Sequence, residues 1–270
     1  MHQDLTVHPK IECGQKELNA LTLAARPFTN RKPSDVYQWN FRSADQSSLR
    51  GDVSTTYTME PDYPDVAKRA KEVIGDELKI IYIVRNPVQR TISHHQYMMN
   101  QANGFGPDIN EEIDLQPSLI QYSLYAMQIK PWLACFEREN FLFIKFEEYV
   151  AAREATMKKV YKFLGVDNIE VPLIETGVNR TGTARVARPG IQQIYRSEVF
   201  QKIIRPLTPN FIRNGLRHAL TKKTAFSKIS PTIETINKII EGVREDMIQF
   251  QTLAGWSACS WDLDAFRQNT

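Results

Sequence analysis

The chain has 270 residues, of which 42% are hydrophobic, and it carries a mild net charge of +3 at pH 7. This length and composition allow one large domain with a full core. The three cysteines (Cys13, Cys135 and Cys259) lie far apart without a Cys-x-x-Cys pair, so their pattern predicts neither a disulfide scaffold nor a zinc site.

The chain has no run of 18 apolar residues, so no segment is predicted to span a membrane. Met1–Asp4 shows no signal-peptide pattern, and the cysteine usage suits a reducing compartment. We therefore predict a cytoplasmic location.

The first part of the chain is predicted to contain an irregular polar region followed by a helix. Residues 22–50 are irregular and predict a loop with one short helix. Residues 62–74 carry apolar side chains at helical spacing and predict a helix that ends at Gly75.

Residues 79–97 contain the most informative pattern of the chain. The β-branched run 80–84 predicts a strand buried on both faces, and Asn86-Pro87 predicts the start of a helix. Arg85 then lies at the carboxyl end of a strand, and Ser93 about two turns into the helix. A guanidinium, a hydroxyl and a helix N-terminus suit a phosphate. His94 and His95 are interpreted as satisfied histidines of the helix surface, with an acceptor cleft as the alternative.

The middle of the chain predicts alternating strands and helices. Residues 100–117 predict a flexible connection, and 118–136 a helix kinked at Pro131. A second buried strand follows at 141–146, and a helix at 154–164 ends at Gly165. This alternation predicts a parallel sheet with crossover helices.

After Pro172 the pattern predicts a loop and then helices only. The last helix is predicted to begin at Ser230-Pro231, to bury one apolar stripe and to end at Gly255. Between residues 196 and 228, eight basic side chains stand against Glu198 alone. This basic segment predicts either a solvated helical face or a surface for a nucleotide, an acidic acceptor or a membrane.

The arrangement Arg85-x-Pro87-x-x-Arg90-x-x-Ser93 resembles the 3′-phosphate-binding segment of the sulfotransferases that use 3′-phosphoadenosine-5′-phosphosulfate (PAPS). In that family the residues matching Arg85 and Ser93 hold the 3′-phosphate. The alternative is an ordinary strand–turn–helix whose arginine is a solvated surface charge.

Further segments follow in the order of that family, which makes the resemblance more specific than any single motif. They are the His8-Pro9 turn, the Lys16-Glu17 segment, 51–57 (similar to Gly-Glu-x-Ser-Pro-x-Tyr), 123–133, 146–148, 163–166 and 244–261. The resemblance implies an α/β fold with a central parallel sheet flanked by helices, of the P-loop NTPase-like sulfotransferase type, with a helical C-terminal portion. We expect a single domain, 1–270, with an α/β core over 1–172 and loop and helices over 173–270.

Three features depart from the family. Its first strand and phosphate loop precede the His8-Pro9 turn, whereas this chain begins in the helix after that loop. We therefore expect a fragment or a truncated gene model. Asn19 stands where the heparan-sulfate branch has His, and Val53 where it has Lys, which argues against the glycan-binding mode of that branch.

The resemblance implies transfer of a sulfuryl group from PAPS to a hydroxyl or amine of a carbohydrate, lipid or small molecule, without a metal. Glu17 is then the catalytic base, and Lys16 offsets charge on the departing phosphate. Arg180, Arg185 and Arg188 lie in the region that closes over the nucleotide in the family, where one of them would reach the 3′-phosphate or the adenine. The alternative is a mobile loop. The alternative for Lys16-Glu17 is a surface ion pair.

Two other functions stay open from the residues alone. A non-catalytic relative would keep the 3′-phosphate pocket but transfer nothing. Nucleic-acid binding through residues 196–228 is disfavoured because that segment lacks the interleaved aromatic side chains of base-stacking proteins.

Overall fold

The computed structural model describes eight segments: 1–25, 31–45, 48–100, 105–170, 183–187, 221–225, 229–257 and 261–268, of which 183–187 and 221–225 are described as backbone. The α-helices are α1 (His2–Thr6), α2 (Pro33–Asn40), α3 (Val66–Ile74), α4 (Pro87–Asn100), α5 (Ile109–Leu115), α6 (Ser118–Gln121), α7 (Tyr125–Leu133), α8 (Phe146–Ala151), α9 (Arg153–Leu164), α10 (Ile233–Ala254) and α11 (Ala265–Gln268). The strands are β1 (Ile11–Cys13), β2 (Leu49–Gly51), β3 (Ile80–Val84), β4 (Phe141–Lys145), β5 (Thr183–Ala187) and β6 (Thr221–Ala225). Three 3₁₀ helices cover Ala20–Ala25, Thr55–Thr58 and Arg138–Asn140.

The strands form three pairs. β1 pairs with β2, and β3 pairs with β4, both in parallel, with Ile80 opposite Phe141 and Val84 opposite Lys145. β5 pairs with β6 in the antiparallel sense. The predicted parallel arrangement of strands with crossover helices is therefore confirmed.

The chain divides into two compact units. The first unit contains 1–86 and 125–175, and the second contains 87–124 and 176–270. The first has a core around Met157, Val160 and Tyr161 of α9. The second has a core in which the apolar stripe of α10 packs with Leu119 and Val88.

The first unit corrects the prediction that residues 80–84 are buried on both faces. Val84 is buried, but the other four residues of β3 are only half-buried. The reason is that β3 pairs with β4 along one edge, and no strand among the described residues pairs with its other edge.

The helix predicted over 118–136 is also interrupted, and not at the predicted position. It divides into α6 and α7, whereas Pro131 lies inside α7. At the break, Ser123 N–H donates to Ile120 O at 2.7 Å, a short-range turn instead of the helical pattern. Thr91 and Ser123 share a hydroxyl–hydroxyl hydrogen bond of 2.9 Å, which gives the break a partner in α4.

Further corrections concern elements that local pattern alone did not reveal. Residues 100–117 include α5, whose N-cap Asp108 accepts a hydrogen bond from Asn110 N–H at 2.9 Å. The last helix begins at Ile233 instead of Pro231, because Thr232 is the N-cap and accepts from Thr235 N–H. The region after Pro172 contains β5 and β6, so the prediction of helices only was wrong.

Two helix ends agree with their sequence signals. Gly165 and Gly255 follow α9 and α10 with φ of 72° and 69°, the left-handed conformation that glycine adopts without steric cost. No helix within the described ranges has the length and apolar character needed to cross a bilayer.

Candidate functional site

The loop after β1 carries Lys16 and Glu17 and lies against the segment after β2. Gly14 N–H donates to Gly51 O at 2.8 Å, and Glu17 N–H donates to Val53 O at 3.0 Å. These bonds extend the contact of the β1–β2 pair beyond its carboxyl end. The structure thereby brings together two segments that the sequence analysis singled out separately, 14–18 and 51–57.

The backbone of this loop is held in an uncommon conformation. Glu17 and Asn19 have φ of 58° and 54°, and they are two of the three residues other than glycine with positive φ in the described chain. Such residues persist only where their surroundings fix them, and they cluster at functional sites. Here Asn19 Nδ2 donates to Glu17 O at 2.7 Å, and Asn19 N–H donates to Ser54 Oγ at 2.9 Å.

The Glu17 carboxylate is bound through one oxygen. Its Oε2 accepts from Thr55 N–H at 3.0 Å and from Thr55 Oγ1 at 3.2 Å. Its Oε1 has no hydrogen-bond partner among the described residues. Lys16 is exposed, and the Glu17 carboxylate binds Thr55 and forms no ion pair with Lys16, so the interpretation of this dipeptide as a surface ion pair was wrong.

The half-buried carboxylate of Asp52 holds the 51–57 segment through hydrogen bonds. Asp52 accepts hydrogen bonds from Ser54 Oγ at 2.6 Å, from Tyr37 OH at 3.1 Å and from Tyr57 OH. Burial, followed by the charge of Asp52, raises the pKa of the Tyr57 phenol, and the same two causes raise the pKa of the Cys13 thiol to about 11. These groups therefore stay protonated, and the two phenols act as fixed hydrogen-bond donors to Asp52.

The sequence analysis missed the contribution of Tyr37, because residues 22–50 read as mostly irregular. Tyr37 lies in α2, and its contact with Asp52 joins residues 15 positions apart. The only available signal was the aromatic residue itself, in a stretch without periodicity. Local pattern gives no information on such a contact.

Arg85 occupies the predicted position directly after β3. Its backbone carbonyl accepts from Tyr125 OH at 2.6 Å, and its guanidinium carbon lies 5.5 Å from the centre of the Phe146 ring. Asn86 N–H donates to Glu147 Oε1 at 2.8 Å. Arg85 is half-buried, so it is not the solvated surface charge of the alternative interpretation.

Ser93 belongs to the second unit and lies on α4. It is half-buried, and its hydroxyl makes no hydrogen bond to any residue that the structure describes. The backbone of β5, which contains Arg185, runs alongside α4, and the register places Arg185 opposite Lys223. Ser93 and Arg185 therefore lie on neighbouring elements. Arg180, Arg188 and most of the basic segment 196–228 lie outside the described residues.

The two histidines after Ser93 are buried instead of lying on the helix surface as predicted. His95 is fully buried, and its Nε2 lies 2.9 Å from Gly106 O. The His94 ring lies 5.3 Å from that of Tyr122, and its Nε2 has no hydrogen-bond partner among the described residues. The prediction failed because Phe105 and Tyr122, which follow α4 in the chain, pack their rings against the two histidines.

Burial of His94 makes the stability of the protein dependent on pH. Burial, with a smaller contribution from the charge of Arg90, lowers the pKa of His94 to about 3. Between that value and the unfolded pKa of about 6.5, only the unfolded state binds the proton, so stability is complete above about pH 6.5 and falls as the pH drops. Between about pH 7.5 and about pH 5.5, the wild type should lose about 1 kcal/mol more than His94→Phe, measured by urea unfolding. Equal losses in both proteins would contradict the prediction.

Known proteins match this chain over different ranges. Residues 65–177 match a family model described as Sulfotransferase domain. Heparan sulfate glucosamine 3-O-sulfotransferase 3B1 of Mus musculus is 27% identical over 178 residues, which cover 61% of this chain and 42% of that protein. Heparan sulfate glucosamine 3-O-sulfotransferase 6 of Homo sapiens is 26% identical over 141 residues, covering 48% of this chain and 40% of that protein. This chain thus spans about two fifths of the length of these relatives.

A solved structure resembles almost the whole chain. The crystal structure of a sulfotransferase from Alicyclobacillus acidocaldarius superposes with a TM-score of 0.64, covering 96% of this chain and 91% of that one. The two sequences are 18% identical, so the likeness concerns the fold. It confirms the α/β sulfotransferase-type fold predicted from the sequence.

Proposed function

We propose that this chain, which belongs to the sulfotransferase family, moves a sulfuryl group from PAPS to a hydroxyl or amine of an acceptor. The observation that supports this most strongly is the Glu17 carboxylate, which has one oxygen held and one oxygen open. A carboxylate in that state is suited to take a proton from an incoming hydroxyl.

Arg85 and Ser93, which we propose bind the donor, are each positioned by the unit to which they belong. Arg85 follows β3 and is half-buried. Its guanidinium can donate two parallel hydrogen bonds to the oxygens of a phosphate. The Ser93 hydroxyl is without a described partner, and β5 brings Arg185 to the neighbourhood of α4. Each of these groups is of a type that binds phosphate, and we follow the family resemblance in assigning Arg85 and Ser93 to the 3′-phosphate of PAPS and Arg180 and Arg185 to its nucleotide. We propose that no metal takes part.

In the proposed reaction, Glu17 Oε1 takes the proton from the hydroxyl of the acceptor molecule while the oxygen of that hydroxyl attacks the sulfur of PAPS. PAPS, when bound, supplies the sulfuryl group and a good leaving phosphate. Lys16 is exposed and not ion-paired to Glu17, so its ammonium is available to offset charge on that phosphate. General-base assistance of this kind contributes about 10²- to 10⁴-fold to a rate.

We propose a carbohydrate hydroxyl as the first acceptor to test, with lipid and small-molecule hydroxyls as alternatives. The names of the two curated relatives refer to the 3-hydroxyl of a heparan sulfate glucosamine. Asn19 Oδ1 accepts from the Thr56 hydroxyl, and the backbone N–H of Asn19 donates to Ser54 Oγ. Asn19 therefore stabilises the loop and is not assigned to glycan binding. We therefore expect an acceptor other than the one in those names.

The proposal is tested with sulfur-labelled PAPS and a panel of carbohydrate, lipid and phenolic acceptors, alongside calorimetric titration with 3′,5′-adenosine bisphosphate. Labelled product together with nucleotide binding is the expected result. Binding without transfer to any acceptor would favour the non-catalytic relative. Absence of both would overturn the proposal. Adenosine 5′-phosphosulfate, which lacks the 3′-phosphate, is the control donor and should bind more weakly.

A further inference from the structure

We propose that Thr55 is a positioning residue that holds Glu17 so that its Oε1 faces the acceptor. This inference rests on the proposed function, because it assigns the orientation of the same base. The two contacts that carry it are the Thr55 N–H and the Thr55 hydroxyl, at 3.0 and 3.2 Å from Glu17 Oε2. Both donors reach the same oxygen, and Oε1 is left open among the described residues.

Two donors on one oxygen define the orientation of the carboxylate. A single hydrogen bond would leave the group free to rotate about its own axis, because the terminal torsion of glutamate is broad. The backbone and the side chain of one residue together restrict that rotation, because both donors must stay within reach of the same oxygen. Glu17 thus presents one defined oxygen, which is the condition for efficient proton transfer from a bound acceptor.

Thr55 itself is held on both sides, so it is a firm support for Glu17. Ser54 before it and Tyr57 after it both donate their hydroxyls to Asp52. Tyr57 O also accepts from Trp132 Nε1 at 3.2 Å. The segment that holds Glu17 is therefore itself held by the half-buried carboxylate of Asp52 and by the Trp132 indole.

The family segment that resembles 51–57 has a proline where this chain has Thr55. A proline has neither an N–H nor a hydroxyl, so it cannot make either contact. Thr55 is therefore a feature of this chain and not a property carried over from the resemblance. Its partner, Glu17, lies 38 positions away in the chain.

The test compares Thr55→Val, which removes the hydroxyl at nearly constant volume, with Thr55→Ser, which keeps it. Thr58→Val is the matched control, because Thr58 lies in the same 3₁₀ helix and its side chain makes no hydrogen bond to a described residue. We expect kcat to fall about tenfold in Thr55→Val, with KM for PAPS unchanged. Thr55→Ser and Thr58→Val should stay within about twofold of the wild type. Full kcat in Thr55→Val, or an equal loss in Thr58→Val, would overturn the inference.

A second measurement does not depend on activity. Unfolding midpoints of the wild type, Thr55→Val, Glu17→Ala and the double variant form a double-mutant cycle. Thr55→Val should lower the midpoint in the wild type but have little effect when Glu17 is already alanine. If the cycle shows no coupling, Thr55 does not hold Glu17 and the inference is overturned. If the coupling is present but the wild type transfers no sulfate, the positioning contact stands and the proposed function fails.

Discussion

Replacing Arg85 by glutamine is expected to weaken the binding of 3′,5′-adenosine bisphosphate by about a hundredfold. A guanidinium donates two charge-assisted hydrogen bonds to a phosphate, each worth about 1.5–3 kcal/mol, and glutamine supplies neither the charge nor the paired geometry. The substitution leaves the strand end intact, because Tyr125 OH donates to the backbone carbonyl of residue 85 and not to its side chain. The dissociation constant is measured by isothermal titration calorimetry.

Arg138 provides the matched control for this prediction. Like Arg85 it stacks on a phenylalanine, with its guanidinium carbon 4.8 Å from the Phe143 ring centre, but it precedes β4 whereas Arg85 follows β3. Because β3 and β4 are parallel, the two arginines lie at opposite ends of the pair. Arg138→Gln should therefore bind the nucleotide like the wild type. A similar loss in both variants would mean that the overall positive charge of the protein, and not a specific site at Arg85, accounts for nucleotide binding.

The features that were predictable from sequence are those fixed by neighbouring residues. β3 and the start of α4 at Pro87 follow from a β-branched run and an Asn-Pro pair. The ends of α9 and α10 follow from single glycines that adopt the left-handed conformation. In each case the residues that decide the structure lie within one or two turns of it.

The features that were not predictable depend on contacts between distant residues. β1 and β2 have three residues each, and they become strands only because Ile11 pairs with Leu49. β5 and β6 have too few β-branched residues for a strand signal, and their partners lie more than 30 positions apart. Short strands of this kind carry almost no local pattern, so sequence reasoning assigns them to loops.

The candidate site also combines features that the sequence predicts with features that depend on contacts between distant residues. Glu17 and Arg85 were found through segments in the order of a family, and the structure places each at the carboxyl end of a parallel strand. The segment 51–57 was named for its resemblance, but the hydrogen bonds of Thr55 to Glu17 and of Ser54 to Asp52 were not predictable, because they form only on folding. Burial of His94 was missed for the same reason, since α4 is polar enough to suggest an exposed face.

Replacing Glu17 by glutamine should remove most of the transfer activity while leaving nucleotide binding intact. Glutamine has nearly the same shape and can still accept from Thr55, but its amide cannot take a proton at neutral pH. We expect kcat to fall by about 10²- to 10⁴-fold, the range of general-base assistance. The dissociation constant of 3′,5′-adenosine bisphosphate should not change, because Glu17 is assigned to the acceptor proton and not to the phosphate. Transfer is measured under single-turnover conditions with labelled PAPS, so that product release does not mask the chemical step.

Glu139→Gln makes the same chemical change at an exposed position of the 3₁₀ helix before β4, and it should retain full activity. If Glu17→Gln keeps the wild-type rate, the proton goes elsewhere and Glu17 is a structural residue of its loop. A large loss of rate with an unchanged unfolding midpoint would instead show that Glu17 Oε1, the oxygen that does not contact Thr55, takes part in the reaction. The strained backbone at Glu17 is then the cost of presenting that oxygen in one fixed orientation.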